Sequence, residues 1–278
     1  MEEANDLTFI NTNDGLKLNY IISNCETPKA VVCLLHGHGE HIGRYDHVMS
    51  SLAKNGIASV GLNLRGHGHS EGKRGHITSI NQVLDDVEEG LKLARVNFLD
   101  LPLFLFGHSY GGCIALSYVL KKPLNELTGF IASSPWLELA FEPPKWKTQL
   151  GEVLAKTLPS LTLKSELDPK LLSKDESVEK QYVEDPLVHN RISAGFFSSV
   201  TRAGKYVSEK AKEIKLEGLI YHGDADRIIS HDATKKACND NPVLIFKTLN
   251  GVYHEPHNDN EKEDVLELLV NWILKKVS

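Results

Sequence analysis

Ser109 sits in Gly107-His108-Ser109-Tyr110-Gly111, and Gly112 follows. The pattern G-x-S-x-G sets a hydroxyl between small neighbours, as a tight turn before a helix requires. A serine hydroxyl is a weak nucleophile. It needs a base to take its proton and an acid to orient that base. Downstream, His222-Gly223-Asp224-Ala225-Asp226-Arg227 offers two carboxylates. Asn250-Gly251-Val252-Tyr253-His254-Glu255-Pro256-His257 then offers two imidazoles. Serine, carboxylate and histidine thus follow one another in an order such a relay can use. The residue types alone leave Asp224 against Asp226, and His254 against His257, open. Upstream lies His36-Gly37-His38-Gly39-Glu40-His41. A His-Gly loop there supplies one backbone amide to a developing oxyanion, and the residue after the nucleophile supplies the other. Those amides belong to His38 and Tyr110. The chemistry implied is acyl transfer through a serine nucleophile, which needs no cofactor.

Such residues work only if rigid elements hold them. Residues 30–35 (AVVCLL) and 103–106 (LFLF) are continuous apolar runs, expected for strands buried on both faces. The second run leads straight into the serine turn, and Ile114, Ala115 and Leu116 follow in the helix after it. Strands are also expected at 57–62, 129–133, 216–221 and 243–249, the last two ending at the carboxylate and histidine loops. Helices are expected at 45–55, with Gly56 at its end, at 80–97, at 111–120, from 232, and at 261–276. Alternating runs at 7–10 and 16–22 around Asn13-Asp14-Gly15 read as a hairpin. Alternating strands and helices imply a mostly parallel sheet with helices on both faces. The alternation stops between 136 and 212. There Trp146, Leu150, Val153, Leu154 and Leu158 recur at helical spacing, and a second helical stretch begins at 194. This reads as a helical insert without strands, placed beyond the carboxyl ends of the sheet strands. The organisation expected is a core of 1–135 and 213–278 with a cap of 136–212.

Composition narrows the partners. The 31 basic and 37 acidic residues are interspersed and give a formal charge of −6, with no basic block for nucleic acid. No apolar run reaches the roughly 18 residues of a spanning helix. Met1-Glu2-Glu3 lacks the start of a signal peptide. Cys25, Cys33, Cys113 and Cys238 show neither zinc spacing nor disulfide density, which fits free thiols and a cytoplasmic location. His36, His38 and His41, like His67, His69 and His76, lie close together. The glycines among them suit tight turns better than a ligand set, so no metal is expected.

Four motifs occur in order: His36-Gly37-x-Gly39-Glu40-His41-x-Gly43-Arg44-Tyr45, Gly66-His67-Gly68-x-Ser70-Glu71-Gly72, Gly107-His108-Ser109-x-Gly111-Gly112 and Gly223-x-Ala225-Asp226. Together they resemble the monoacylglycerol lipase and lysophospholipase family of α/β hydrolases, from about residue 8 to the C-terminus. The insert is the least similar part. The resemblance implies the α/β-hydrolase fold with a helical cap. It implies Asp226 as the acid and His254 as the base, with Asp224 a neighbour that shapes the loop. It also implies that Glu40, Arg44 and His257 line a polar pocket for the alcohol, unless they form ion pairs that pin the loop. Two positions depart from the pattern: many relatives carry Asp where this chain has Asn63, and the second residue of Gly-Asp-Ala-Asp is often uncharged.

The expected reaction is hydrolysis of a single-chain lipid ester, most simply a monoacylglycerol. The alternatives are a lysophospholipase or broad carboxylesterase, an acyltransferase or perhydrolase, and a non-catalytic binding protein on the same fold. The cap of such relatives often has an apolar outer face. The Trp146–Leu158 stripe could therefore meet a membrane or micelle and leave the protein peripheral to membranes, although stripes at this spacing usually pack on a core.

Overall fold

The structure is a computed structural model and describes residues 7–124 and 127–277. Among the described residues, eight strands form one sheet. In chain order these are β1 (Thr8–Asn11), β2 (Lys17–Ser23), β3 (Ala30–Leu35), β4 (Ile57–Leu62), β5 (Leu103–His108), β6 (Gly129–Ser133), β9 (Gly218–Gly223) and β10 (Leu244–Leu249). Two more, β7 (Thr162–Lys164) and β8 (Arg191–Ser193), pair only with each other. The sheet order is β1-β2-β4-β3-β5-β6-β9-β10. The β1–β2 hairpin turns at Gly15, whose φ of 86° lies in the left-handed region that glycine enters without penalty. β2 runs antiparallel to β4, and every later neighbour is parallel.

The apolar runs behave as their composition requires. Every residue of β3, β4, β5, β6 and β9 is buried. Helices α1 (Asp46–Lys54) and α8 (Lys262–Val277) cover one face, where Val48, Leu52, Leu269 and Ile273 pack on Val32, Phe104 and Phe106. Helices α2 (Ile80–Asn97), α3 (Tyr110–Lys121) and α7 (His231–Cys238) cover the other, with Val83, Val87 and Ile114 against Val31 and Leu105. Each large side chain so buried contributes about 1.5–3 kcal/mol. The carboxyl ends of β3, β5 and β9, which carry three of the four chemistry-bearing loops, are therefore anchored in fully buried strands, and the fourth loop follows the half-buried edge strand β10. Cys33, Cys113 and Cys238 are buried free thiols in this core.

Between β6 and β9 lie α4 (Lys145–Thr157), α5 (Glu176–Glu184) and α6 (Ala194–Lys210). Three features differ from the sequence reading. The segment contains strands after all: β7 and β8 pair antiparallel, Thr162 opposite Ser193. Helix α5, capped by the Asp175 side chain on the Ser177 amide, was not anticipated. Finally, α6 buries Phe196, Val200, Ala203 and Val207 in the same cluster as Ile114 and Phe130. The expected 136–212 segment thus divides physically. Its first part covers the carboxyl ends of the strands, while α6 joins the helical layer on the sheet.

Candidate active site

The turn between β5 and α3 is forced by contact. A Cβ on Gly107 would lie 2.1 Å from the Gly111 carbonyl oxygen, and one on Gly111 would lie 2.5 Å from that of Leu35. With no room for side chains at either position, the chain reverses tightly and Ser109 takes φ 53°, ψ −112°. That conformation costs a non-glycine residue of order 1–3 kcal/mol and persists only because its surroundings over-determine it. Here the Ser109 amide donates to the Ser133 carbonyl, and the Ser109 carbonyl accepts from the amides of Cys113 and Trp136.

The Ser109 hydroxyl lies 2.9 Å from His254 Nε2. His254 Nδ1 lies 2.7 Å from Asp226 Oδ2. Both histidine and carboxylate are buried. Burial alone would push the imidazole toward its neutral form, but the adjoining Asp226 charge outweighs it and raises the His254 pKa. Burial likewise works against the Asp226 charge, yet His254 and His222 hold its carboxyl well below the usual carboxylate range. The other members of each sequence pair stand apart from this relay. Asp224 is exposed and accepts the Gly251 amide at 2.6 Å, which ties the two loops together. His257 is buried, stacked 4.6 Å from the Tyr45 ring, and both of its ring nitrogens lack a protein partner. Burial pushes its pKa down to about 3.

Tyr110 opens α3, so its amide is among the donors of the first turn that have no intrahelical acceptor. His38 lies on the loop leaving β3, its imidazole 3.1 Å from the Arg191 carbonyl oxygen and packed on Phe196. Glu40 shapes the same loop. Its Oε1 accepts the Gly37 amide at 2.6 Å and the Tyr45 hydroxyl at 2.8 Å. Arg44 bridges Glu40 and Glu255, gripping Glu255 through both guanidinium nitrogens at 2.8 and 2.7 Å. Two buried carboxylates therefore share one cation. Burial and the neighbouring Glu255 charge raise the Glu40 pKa, while Arg44 overcomes burial at Glu255 and lowers it to about 2. Glu255 is the partner that the residue pattern did not single out. Its meaning depends on Arg44, 211 positions away.

A cavity of about 900 Å³ opens above Ser109 and His254. Its wall is largely apolar, including Trp136, Phe141, Leu154, Leu172 and Phe197, and Glu40, Glu255 and Tyr182 stand in its lining. Arg44 and His257 do not line it. They lie behind Glu40, the one through its ion pairs and the other against Tyr45. Among the described residues, the donors that gather tightly enough for an ion are those of Glu40, His108 and Glu255, and both carboxylates are already engaged by Arg44.

Residues 26–261 match the family described as Serine aminopeptidase, S33 (Hydrolase_4). An uncharacterized abhydrolase domain-containing protein of Dictyostelium discoideum is 36% identical over 253 residues, covering 90% of this chain. The chain spans only 27% of the length of that relative. The monoacylglycerol lipase of Mycolicibacterium smegmatis is 30% identical over 94% of both chains. The crystal structure of Paleococcus ferrophilus monoacylglycerol lipase superposes with a TM-score of 0.85 at 33% identity, covering 93% of this chain and 99% of the other.

Proposed function

The chain belongs to the Serine aminopeptidase, S33 family and is a monoacylglycerol lipase-like ester hydrolase, and from that premise we propose that Ser109, His254 and Asp226 cleave single-chain glycerol esters. The observation that carries the reading is the hydrogen-bonded series Ser109–His254–Asp226 at the floor of an apolar cavity. His254 takes the Ser109 proton as the hydroxyl attacks the ester carbonyl. The amides of His38 and Tyr110 bind the oxyanion that forms. Asp226 keeps the imidazole in the tautomer with its hydrogen on Nδ1 and stabilises the imidazolium. His254 then protonates the departing alcohol, and a water molecule repeats the sequence on the acyl-enzyme. The apolar wall takes the acyl chain, and Glu40 takes hydroxyls of the alcohol. Arg44 and His257 act behind Glu40, holding it in place.

A substrate panel tests this: monoacylglycerols, lysophosphatidylcholine, triacylglycerols, aminoacyl amides and a small p-nitrophenyl ester. Monoacylglycerols are expected to give the highest kcat/KM, and faster turnover of aminoacyl amides would overturn the substrate class. Glu40→Gln is expected to lower monoacylglycerol kcat/KM by about one to two decades, the worth of a charged hydrogen bond of ~1.5–3 kcal/mol, while sparing the p-nitrophenyl ester. Equal loss on both substrates would make Glu40 a loop residue only.

Lipid substrates reside in membranes, and the cap supports a peripheral contact with them. No helix among the described residues is long and apolar enough to cross a membrane. Trp146, Val153 and Leu158 on α4 and its end are 62%, 57% and 56% exposed, while Trp146, Leu150 and Leu154 line the cavity, so the stripe is divided between the cavity and the outer surface of the cap. Val153→Glu together with Leu158→Glu is expected to abolish co-sedimentation with phosphatidylcholine vesicles and leave hydrolysis of a soluble ester unchanged. Undiminished sedimentation would remove the cap from that role.

A further inference from the structure

His222 is the penultimate residue of β9 and is wholly buried. Its Nε2 lies 2.9 Å from Asp226 Oδ2, the same oxygen that receives His254 Nδ1 at 2.7 Å. The other oxygen, Oδ1, accepts the amides of Ile228 and Ile229 at 2.8 and 3.0 Å. The carboxylate is thus held by four donors, two on each oxygen. On the far side of the ring, His222 Nδ1 is 3.0 Å from the Thr234 hydroxyl on α7. Burial keeps the His222 imidazole neutral, its pKa lowered despite the Asp226 charge. A neutral ring has one N–H, and a carboxylate oxygen can only accept, so the hydrogen is on Nε2. Nδ1 is then the acceptor, and Thr234 donates to it.

We propose that His222 is a positioning residue for the reaction: its Nε2–H shares Asp226 Oδ2 with His254, fixing that oxygen and moderating its pull on the His254 imidazole. The proposal rests on the reading of Ser109, His254 and Asp226 as the reacting set. His222 does not line the cavity, so it acts on the chemistry through Asp226 and leaves substrate binding alone. Without His222, Oδ2 keeps His254 as its one donor of these four and concentrates its charge there. His254 then holds its proton more tightly, and the neutral form that serves as base is lost at a higher pH. Other groups facing the two imidazoles are His231 at the start of α7, His108 beneath Ser109, and Glu255 and Glu40 beyond His254 with Arg44 between them. None of these touches Asp226 Oδ2 among the described residues, so the variants below alter one contact against a fixed background.

The test is the pH dependence of kcat and KM on a soluble ester, for the unaltered chain, His222→Leu, His222→Gln, Thr234→Val and Asp226→Asn. His222→Leu is expected to move the acid limb of kcat/KM upward by about one pH unit. Its plateau kcat falls about tenfold, a fraction of the ~10²-fold cost of an ångström of misplacement, and KM is unchanged. His222→Gln restores both values, because the glutamine side-chain N–H occupies the place of Nε2–H. Thr234→Val shifts the limb in the same direction by less, and it decides the matter if His222→Leu melts at a much lower temperature. An unshifted limb in His222→Leu and Thr234→Val, with Asp226→Asn crippled, overturns the role of His222 and leaves the catalytic set standing. Near-normal Asp226→Asn overturns both.

Discussion

Ser109→Ala is expected to abolish ester hydrolysis and labelling by a fluorophosphonate probe, with a fall in kcat of about 10⁵–10⁶-fold. The hydroxyl is the group aligned on His254, and its removal leaves only the oxyanion donors and the cavity to assist reaction with water. The fold is expected to survive. Alanine keeps the same Cβ at φ 53°, and the hydrogen bonds that fix the turn run through the backbone of residue 109. Circular dichroism and a melting curve would separate a chemical loss from a folding loss. Full labelling of the variant would remove Ser109 from its role, whatever the state of the remaining activity.

Two pairs of substitutions should part sharply. His254→Ala should match the loss in Ser109→Ala, because base and nucleophile act as one unit. Asp226→Asn should lower kcat by about 10⁴-fold, since an amide at that place favours the wrong tautomer of the imidazole. By contrast, Asp224→Asn should stay within about threefold, a surface residue away from special contacts losing little, because it only tethers the Gly251 amide at an exposed loop. His257→Ala removes a ring from behind the cavity and should leave the soluble-ester rate nearly intact. The pH profile adds a sign. Asp226 raises the His254 pKa, so kcat/KM should fall as pH drops through that raised value, when His254 becomes charged and can no longer take the serine proton. A crippling Asp224→Asn would mean that the loop after β9 presents the other carboxylate.

The proposed relay could be assembled from the sequence because each candidate follows a strand that announces itself. LFLF leads to Ser109, and 216–221 and 243–249 lead to the carboxylate and histidine loops. What composition could not do was choose within each pair. Asp224 and Asp226 differ by two positions on one loop, and only burial separates them: one carboxylate is solvated, the other enclosed by four donors. Glu255 and His222 went unassigned for a related reason. Each is adjacent to or four residues from a candidate, yet what it contacts is fixed by tertiary packing, Arg44 in one case and the Asp226 carboxylate with its four donors in the other. The cap was the least legible region. β7 and β8 have three residues each, too few for an alternation to register, and they pair across nearly thirty positions. The α4 stripe has the spacing of a core helix, but Val153 and Leu158 are exposed while Leu150 and Leu154 line the cavity.

The seam between cap and core runs along the segment that ends in β8. The His189 amide donates to the Gly39 carbonyl at 2.8 Å, His41 donates to Asp185 at 2.8 Å, and the Ser193 amide donates to the Gly75 carbonyl at 2.8 Å. Between them, the His38 imidazole reaches the Arg191 carbonyl. The loop proposed to offer an amide to the oxyanion is therefore stitched to the roof as well as to the sheet. Roof and loop are joined by these hydrogen bonds, so a disturbance of the roof is carried to the loop after β3. Strain applied to β8 should accordingly register as slower bond-making at an unchanged degree of saturation, and the cover over this cavity behaves less like a door than like a keystone.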